Sequence, residues 1–340
     1  SPGERWSKRH PQLRLNTHKW LSHLPGKRFD KSAGAFPTRD AFVQYIEDYV
    51  RMLKTPIDFG VRIDRVRKDG ENWLAESEKC SIRARNIVIA TGPDHVQFMP
   101  GWSGRETFTG ELLHAAEFPG AAHCEGKSVL LVGAGNSSVD IANHLARIET
   151  KAIWMSARGG STVVPQYILG APTHLLTPAL RPLPVPMVDA VASMLSRWFC
   201  GDLQSRGMPR PPMGALSRML ADGAAPGIGN GYSKALRAGK IEIVPTIERF
   251  EQDVVLLKGG RSVTPDIVIC GTGYRTGLEM MLGELDVLDG EGAPLYSGDE
   301  ASPAHSGLWF FGFRNSFWGN LNERRREAPR LAEMILAGER

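Results

Sequence analysis

Val129-Leu-Leu-Val-Gly-Ala-Gly-Asn-Ser-Ser-Val-Asp140 lies in the middle of a chain of 340 residues. Its apolar beginning predicts a buried strand, and Gly133 and Gly135 predict a sharp turn into a helix. The first peptide N–H groups of a helix have no partner within it, so they can hold a pyrophosphate. The stretch therefore predicts a dinucleotide site, with Asn136 and Ser137 as further contacts at the start of the helix.

The residues around this motif complete a βαβ unit. Ser138 stands where a third glycine is usual, but a helix is predicted over Ser137–Ile148 and a second strand over Lys151–Met155. That strand leads to Ser156 and Arg158, where an enzyme specific for NAD carries an acidic residue. We expect both residues to contact the cofactor, and Arg158 to select NADPH by pairing with its 2′-phosphate. The alternative is that Arg158 is an ordinary surface cation.

Two other apolar runs end in a similar way. Asn86–Ala90 leads into Ala90-Thr91-Gly92, and Asp266–Cys270 leads into Gly271-Thr272-Gly273-Tyr274. Both runs predict buried strands that leave their sheet abruptly, because glycine and proline do not prolong a strand.

A spaced signature precedes the dinucleotide motif at close range. Phe108-Thr-Gly-Glu-Leu-Leu-His114-Ala-Ala-Glu-Phe118 carries Phe, Gly, His and a second aromatic residue. With the glycine-rich turn, it makes the chain resemble a class B flavin-dependent monooxygenase from Leu13 to Ile335. This group includes flavin-containing monooxygenases, plant indole-pyruvate enzymes and Baeyer–Villiger enzymes. The resemblance implies that FAD and NADPH are the cofactors and that His114 helps to hold the two cofactor domains in place.

The resemblance also implies roles for residues outside the two motifs. The strand ends Ala90–Gly92 and Gly271–Tyr274 carry the chain between the two domains and contact cofactor. Leu13-Arg-Leu-Asn16 resembles the segment in which flavin-containing monooxygenases place an asparagine against the flavin ring. Asn16 is therefore the candidate catalytic residue, with an amide placed to stabilise a flavin hydroperoxide. Asparagine is also common in loops for backbone reasons, which is the alternative.

The expected fold class is α/β, with two Rossmann-like domains. The predicted division is a first part of an FAD domain over 1–118, an inserted NADPH domain over 119–245 and a second part of the FAD domain over 246–340. The FAD domain is expected to be N-terminally incomplete, because no GxGxxG motif lies before Gly92. A fragment and a natural truncation both stay open. In either case we expect weak or absent FAD binding and no NADPH-driven O₂ consumption by residues 1–340 alone.

Composition narrows the class of protein. The net charge is only +4, which gives no case for nucleic acid as a partner. The four cysteines form no CxxC pair, so we expect no metal, no redox disulfide and a reducing cytoplasm. The most apolar region, Pro165–Cys200, is interrupted by prolines and charges and predicts no transmembrane segment. The expected partners are a small organic substrate and O₂; a homodimer is one open oligomeric state.

Other elements follow from their patterns. A helix is predicted over Phe42–Leu53 with Thr38 as its N-cap, and a hairpin over Ile247–Lys258. Further helices are predicted over Met187–Phe199 and from about Asn320. The Gly227–Gly231 loop and the proline-rich region are expected to shape the substrate pocket.

The leading hypothesis is an FAD- and NADPH-dependent oxidoreductase. It would oxygenate nitrogen, sulfur or an activated carbonyl carbon, in the manner of N,N-dimethylaniline monooxygenase. The alternatives are a Baeyer–Villiger monooxygenase acting on ketones and a truncated, non-catalytic NADPH-binding protein. A disulfide reductase of the same plan is disfavoured because no CxxC is present.

Overall fold

The computed structural model describes residues 1–298, 300, 302 and 304–338. The α-helices are, in chain order, α1 (Glu4–Ser7), α2 (Arg39–Met52), α3 (Asn136–Leu145), α4 (Thr173–Leu176), α5 (Val185–Leu195), α6 (Ala215–Asp222), α7 (Asn230–Arg237), α8 (Glu279–Leu282) and α9 (Asn320–Gly338).

The strands are two to five residues long. They are β1 (Arg65–Asp69), β2 (Asn72–Glu76), β3 (Ser81–Ala84), β4 (Ile87–Ile89), β5 (Val96–Gln97), β6 (Glu111–His114), β7 (Ser128–Val132), β8 (Ala152–Ser156), β9 (Val163–Val164), β10 (Tyr167–Ile168), β11 (Ala171–Pro172), β12 (Gly227–Ile228), β13 (Glu242–Val244), β14 (Ile247–Glu251), β15 (Val254–Leu257), β16 (Ser262–Val263), β17 (Ile267–Cys270), β18 (Tyr274–Arg275) and β19 (Leu308–Phe310).

A five-stranded sheet forms the centre of the molecule, in the order β13-β8-β7-β17-β6. All four of its pairings are parallel. Val129, Leu130 and Leu131 of β7 are fully buried, because both faces of a parallel sheet are covered. Helix α3 packs its buried residues into the largest core cluster. The α/β class is confirmed, and the predicted β7–α3–β8 unit is present.

Helix α3 is shorter than predicted. It begins at Asn136 and ends at Leu145 instead of Ile148. Arg147 and Ile148 continue as tight turns, with backbone N–H groups that donate to residues three positions earlier. Such tightening of a final turn is common and shifts the apparent end of a helix.

The five-stranded sheet takes strands from more of the chain than the predicted segment 119–245. Strand β6 lies before that segment, and β17 lies after it. All four residues of β17 are buried, which suits a central position between β7 and β6 better than an edge. The three-part division of the chain stays a prediction, but its central unit includes these flanking strands.

A second unit is built from β1-β2-β3, which pair antiparallel, and from β4 and β19, which pair parallel. Its core is centred on Trp73, whose side chain is 0% exposed. The Trp73 indole N–H donates to the Ser306 carbonyl oxygen at 2.9 Å. This bond ties the three-stranded sheet to the turn before β19.

The N-terminal region packs around α2. Thr38 caps this helix as predicted, since its hydroxyl oxygen accepts from the Ala41 N–H at 3.2 Å. Phe42 and Tyr45 are buried, and the Tyr45 hydroxyl donates to the Lys27 carbonyl oxygen. The helix therefore holds the preceding segment, which includes Asn16, against the rest of the chain.

The proline-rich region Pro165–Cys200 contains a β10–β11 hairpin and the helices α4 and α5. Helix α5 begins two residues before the predicted Met187 and changes to a π-helical turn at Ser196–Cys200. Within the described residues, no helix has both the length and the apolar character needed to cross a bilayer.

The segment Gly227–Gly231, which was predicted to be a loop, comprises strand β12 and the start of helix α7. It lies against helix α3, where a Cβ on Gly227 would be 2.9 Å from Val139. The Asn143 side chain bridges the loop by donating to the Ile228 carbonyl and accepting from the Tyr232 N–H. These contacts give the loop a packing role, because its glycines allow close approach of backbone to helix.

Candidate functional site

The turn after β7 is held against the end of β17. Gly133 has φ of 94°, and a Cβ there would lie 2.7 Å from the Gly271 carbonyl oxygen. A Cβ on Gly271 would lie 2.0 Å from the Ser138 hydroxyl oxygen. Both positions therefore require glycine for conformation or space. Their packing places the start of α3 at the carboxyl ends of the parallel strands, the edge where α/β proteins bind ligands.

The start of α3 is open. Gly135 is its N-cap and provides no side chain, so the first helical N–H groups lack a side-chain partner. A Cβ on Gly135 would meet nothing within 4 Å. Asn136 carries a buried Oδ1 without a hydrogen-bond partner, and Ser137 is exposed. Open space, free N–H donors and an orphaned polar atom fit a bound pyrophosphate and its neighbouring hydroxyl or amide groups.

The two residues predicted at the end of β8 have different environments. Ser156 is buried, and its hydroxyl donates to the Pro245 carbonyl oxygen at 3.0 Å. Arg158 is exposed and has no acidic partner within the described part of the chain. Ser156 thus fastens β8 to the end of β13, and its contact with cofactor stays a prediction. Arg158 stays the candidate for the 2′-phosphate, with a guanidinium that is free to pair.

His114 joins the end of β6 to the segment after β17. The Ala116 N–H donates to its Nδ1 at 3.2 Å, so the proton lies on Nε2, which donates to the Gly273 carbonyl oxygen at 3.0 Å. Burial lowers the pKa of His114, and the bond to Gly273 opposes this only in part. The neutral ring has both nitrogens engaged and acts as a structural link instead of a general base.

Tyr274 is part of a cluster that the sequence did not reveal. Its ring packs edge-on against His114, and its hydroxyl accepts from Arg9 at 2.5 Å. Arg9 also pairs with Asp94 at 3.1 Å. Arg9 and Asp94 are far apart in the sequence, so their pairing could not be predicted from local pattern. The one sequence feature that could have indicated a role for Asp94 is its position directly after Thr91-Gly92-Pro93. The cluster connects the N-terminal segment to both predicted strand ends.

The two predicted strand ends meet. Strand β5, which follows Ala90-Thr91-Gly92, pairs antiparallel with β18, which follows Gly271-Thr272-Gly273. The Thr272 hydroxyl donates to the Phe98 carbonyl oxygen at 2.5 Å. The segments 90–98 and 271–275 are thus paired connectors between the second unit and the five-stranded sheet. The Thr272 hydroxyl proton is used in this pairing, and its oxygen can still accept a hydrogen bond.

Several predicted flavin contacts remain accessible around these connectors. Ala90 and Thr91 are exposed. Gly92 and Gly273 have φ of 76° and 85°, and a Cβ on either would meet nothing within 4 Å. Asn16 lies in a bend, is half-buried and makes no side-chain hydrogen bond with described residues. Open backbone and a free amide fit a planar ring with polar edges such as a flavin.

The chain is similar in sequence to known proteins. The family model described as pyridine nucleotide-disulphide oxidoreductase matches residues 23–167. The probable indole-3-pyruvate monooxygenase YUCCA8 of Arabidopsis thaliana is 30% identical over an alignment of 347 positions, which covers 97% of this chain and 80% of that protein. YUCCA3 of the same plant is 31% identical, over 91% of this chain and 73% of its own.

Solved structures share the fold. The flavin-containing monooxygenase from Stenotrophomonas maltophilia superposes with a TM-score of 0.70 at 19% identity, covering 98% of this chain and 87% of that one. NADP⁺-bound cyclohexanone monooxygenase from Rhodococcus sp. Phi1 gives 0.69 at 16% identity, covering 100% and 78%. The similarity in sequence to the plant enzymes places the chain in its family: it belongs to the class B flavin-dependent monooxygenases.

Gly133 and Gly135 are expected to respond differently to substitution. Gly135→Val adds a side chain in open space, so we expect a folded protein with NADPH binding lost and a stability cost of about 1 kcal/mol or less. Gly133→Val forces a β-branched residue to positive φ against Gly271, so we expect about 1–3 kcal/mol of lost stability together with lost binding. Chemical unfolding and calorimetric titration measure both quantities.

Gly101→Val is the matched control, because Gly101 also has open space at its Cβ but lies away from the helix start. It should keep NADPH affinity. Retained affinity in Gly135→Val would place the pyrophosphate elsewhere.

The neutral state of His114 predicts a pH dependence. Burial lowers the pKa of folded His114 below the usual histidine value of 6.5, so its contribution to the free energy of unfolding is full above pH 6.5 and is lost as the pH falls below that value. His114→Ala should lower the free energy of unfolding by about 1–3 kcal/mol at neutral pH, because the Gly273 carbonyl loses its donor. The difference from wild type should shrink towards acid pH in urea unfolding.

His305→Ala is the control, since His305 lies beside Trp73 and away from the connectors. A stability difference for His114→Ala that stays constant across the whole pH series would contradict a neutral, buried link.

Proposed function

We propose that this chain works with FAD and NADPH to insert one oxygen atom from O₂ into a small organic substrate. The acceptor is nitrogen, sulfur or an activated carbonyl carbon, as in N,N-dimethylaniline monooxygenase. One observation carries the proposal: an uncapped helix start with open space at Gly135 lies at the carboxyl edge of a parallel sheet. That is the arrangement by which a βαβ unit holds a dinucleotide.

NADPH is assigned to the central unit. The N–H groups at the start of α3 would hold its pyrophosphate, Asn136 Oδ1 would accept a hydrogen bond from a hydroxyl or amide of the cofactor, and Arg158 would pair with the 2′-phosphate. The exposed, unpaired guanidinium favours the phosphorylated cofactor, because a bidentate phosphate contact is lost with NADH.

FAD is assigned to the cleft beside the paired connectors. Ala90, Thr91, Gly92 and Gly273 offer accessible backbone there, and Asn16 offers a free amide. Bound flavin supplies the redox chemistry and the reaction with O₂. The residues of this chain bind and orient: the Arg9–Tyr274–His114 cluster keeps the connectors in register, and Asn16 donates to polar atoms that gain charge during oxygen transfer.

The names of the plant relatives support an activated carbonyl carbon as the oxygen acceptor. The plant proteins are named for indole-3-pyruvate, whose ketone lies next to a carboxylate. A Baeyer–Villiger reaction on a simple ketone is the alternative favoured by the similarity in fold to cyclohexanone monooxygenase. A non-catalytic NADPH-binding protein stays the third candidate.

A thiol-based disulfide reductase is the candidate function with the least support. The four cysteines are all free, and three of them are buried. Burial raises the pKa of Cys124 to about 11 and that of Cys270 to about 12. Thiols in this state are poor nucleophiles near neutral pH.

The proposal is tested with the protein expressed from its complete reading frame. NADPH-driven oxygen uptake is measured with a tertiary amine, a sulfide, a 2-oxo acid and a cyclic ketone, and products are identified by mass spectrometry. We expect an N-oxide, a sulfoxide or a product cleaved beside the carbonyl. A lactone from the cyclic ketone alone would favour the Baeyer–Villiger alternative. NADPH binding without uptake on any substrate would favour the non-catalytic alternative.

Arg158→Ala tests the cofactor assignment, with the affinities for NADPH and NADH measured by calorimetric titration. We expect NADPH affinity to fall by about ten- to a hundredfold and NADH affinity to stay nearly unchanged, because one charge-assisted contact is removed. Arg147→Ala is the matched control: Arg147 is exposed in the same unit and lies at the opposite end of α3. Equal losses for both cofactors would overturn the assignment.

A further inference from the structure

A cavity lies in the central unit, away from the start of α3. Its volume is about 500 Å³, and it is enclosed by the loop after Arg158, the end of α5 and the segment 201–214. That volume suits a ligand of nucleotide size. Its principal polar lining residues are Ser161, Thr162, Ser193, Arg197, Gln204 and Arg210.

The cavity carries net positive charge. Arg197 and Arg210 line it, and neither has an acidic partner among the residues that the structure describes. Asp202 is the one carboxylate in the lining, and it accepts hydrogen bonds from the N–H groups of Gln204 and Ser205. The carboxylate is thus engaged locally, whereas the two guanidinium groups are available. Arginine with neighbouring hydroxyls is a typical phosphate-binding set.

Part of the wall is apolar. Leu203 and Met208 are 7% and 4% exposed and belong to the core of the central unit. Met213 lies at the rim and is 43% exposed. Thioether side chains adapt to flat rings and make favourable contacts with them. The cavity therefore combines an anion-binding side with a surface for a ring.

This cavity is distinct from the predicted NADPH contacts. None of Gly133, Gly135 or Arg158 lines it. The two places are nevertheless adjacent, because a Cβ on Gly160 would lie 1.8 Å from the Pro209 carbonyl oxygen. The loop that carries Arg158 thus packs directly on the segment that carries Arg210.

We propose that this cavity is a second ligand site, which binds an organic phosphate of nucleoside-monophosphate size. The phosphate group pairs with Arg197 and Arg210 and accepts from the hydroxyls of Thr162 and Ser193. The ring of the ligand packs on Leu203, Met208 and Met213. No covalent step is involved, and the site is independent of whether the start of α3 holds NADPH.

The test uses adenosine 5′-monophosphate as the probe and calorimetric titration as the readout. The protein carries Gly135→Val, so that the helix start is blocked and the cavity lining is unchanged. We expect adenosine 5′-monophosphate to bind this variant as it binds wild type, and adenosine without phosphate to bind far more weakly. A loss of binding on Gly135→Val alone would overturn the proposal, because the probe would then occupy the dinucleotide site.

Arg197→Gln and Arg210→Gln are then introduced singly. Each is expected to weaken the probe about tenfold or more, since each removes one charge-assisted contact. Arg206→Gln is the matched control, because Arg206 is exposed in the same segment but does not line the cavity. Equal effects of all three, equal binding of adenosine, or no binding of the probe to wild type would each overturn the proposal.

This design separates the second site from the proposed function. NADPH titration of wild type reports on the start of α3, and titration of the probe reports on the cavity. Failure of one leaves the other result intact.

Discussion

The close approach of backbones at Gly133 and Gly271 is the constraint on which the site depends. Strands β7 and β17 are neighbours, and a side chain at either glycine would overlap atoms of the other strand's end or of Ser138. Because the turn is this tight, α3 begins directly above the sheet edge with its N–H groups free. The proposed dinucleotide site is thus a consequence of strand packing more than of any charged side chain.

The paired connectors are held by the same segment that follows β17. Gly271 is followed by Thr272 and Gly273, which bond to Phe98 and His114 respectively. One short segment therefore ends β17, closes the Gly133 turn and fastens the connectors to β6. Burial keeps His114 neutral, so this link is made of ordinary hydrogen bonds and is insensitive to pH above the normal histidine range.

Much of this arrangement could be predicted from local pattern. Continuous apolar runs predicted β7, β8 and β17, and the Thr38 cap predicted the start of α2, because these signals lie within a few residues. The position of β17 inside the central sheet was not predicted, since strand order is a long-range property. The cluster of Arg9, Asp94 and Tyr274 was missed for the same reason: its members meet only after the connectors pair.

Two residues for which the sequence predicted the same role, contact with the cofactor, have different environments in the structure. Ser156 and Arg158 are two positions apart, yet one is buried against Pro245 and the other is exposed and unpaired. Strand β8 ends at Ser156, which pairs with Val244, whereas Arg158 lies in the turn beyond the strand and is not covered by a neighbouring strand. The Gly227–Gly231 loop likewise serves the packing of α3, which glycine content alone did not distinguish from a pocket-forming loop.

Hydrogen exchange with and without NADPH tests whether the start of α3 holds the cofactor. NADPH is expected to slow exchange of the backbone amides at residues 135–138, with a further effect in the Arg158 loop. Those amides are free in the structure and would donate to the pyrophosphate when the cofactor binds. Unchanged exchange at 135–138, with protection appearing elsewhere in the chain, would contradict the account.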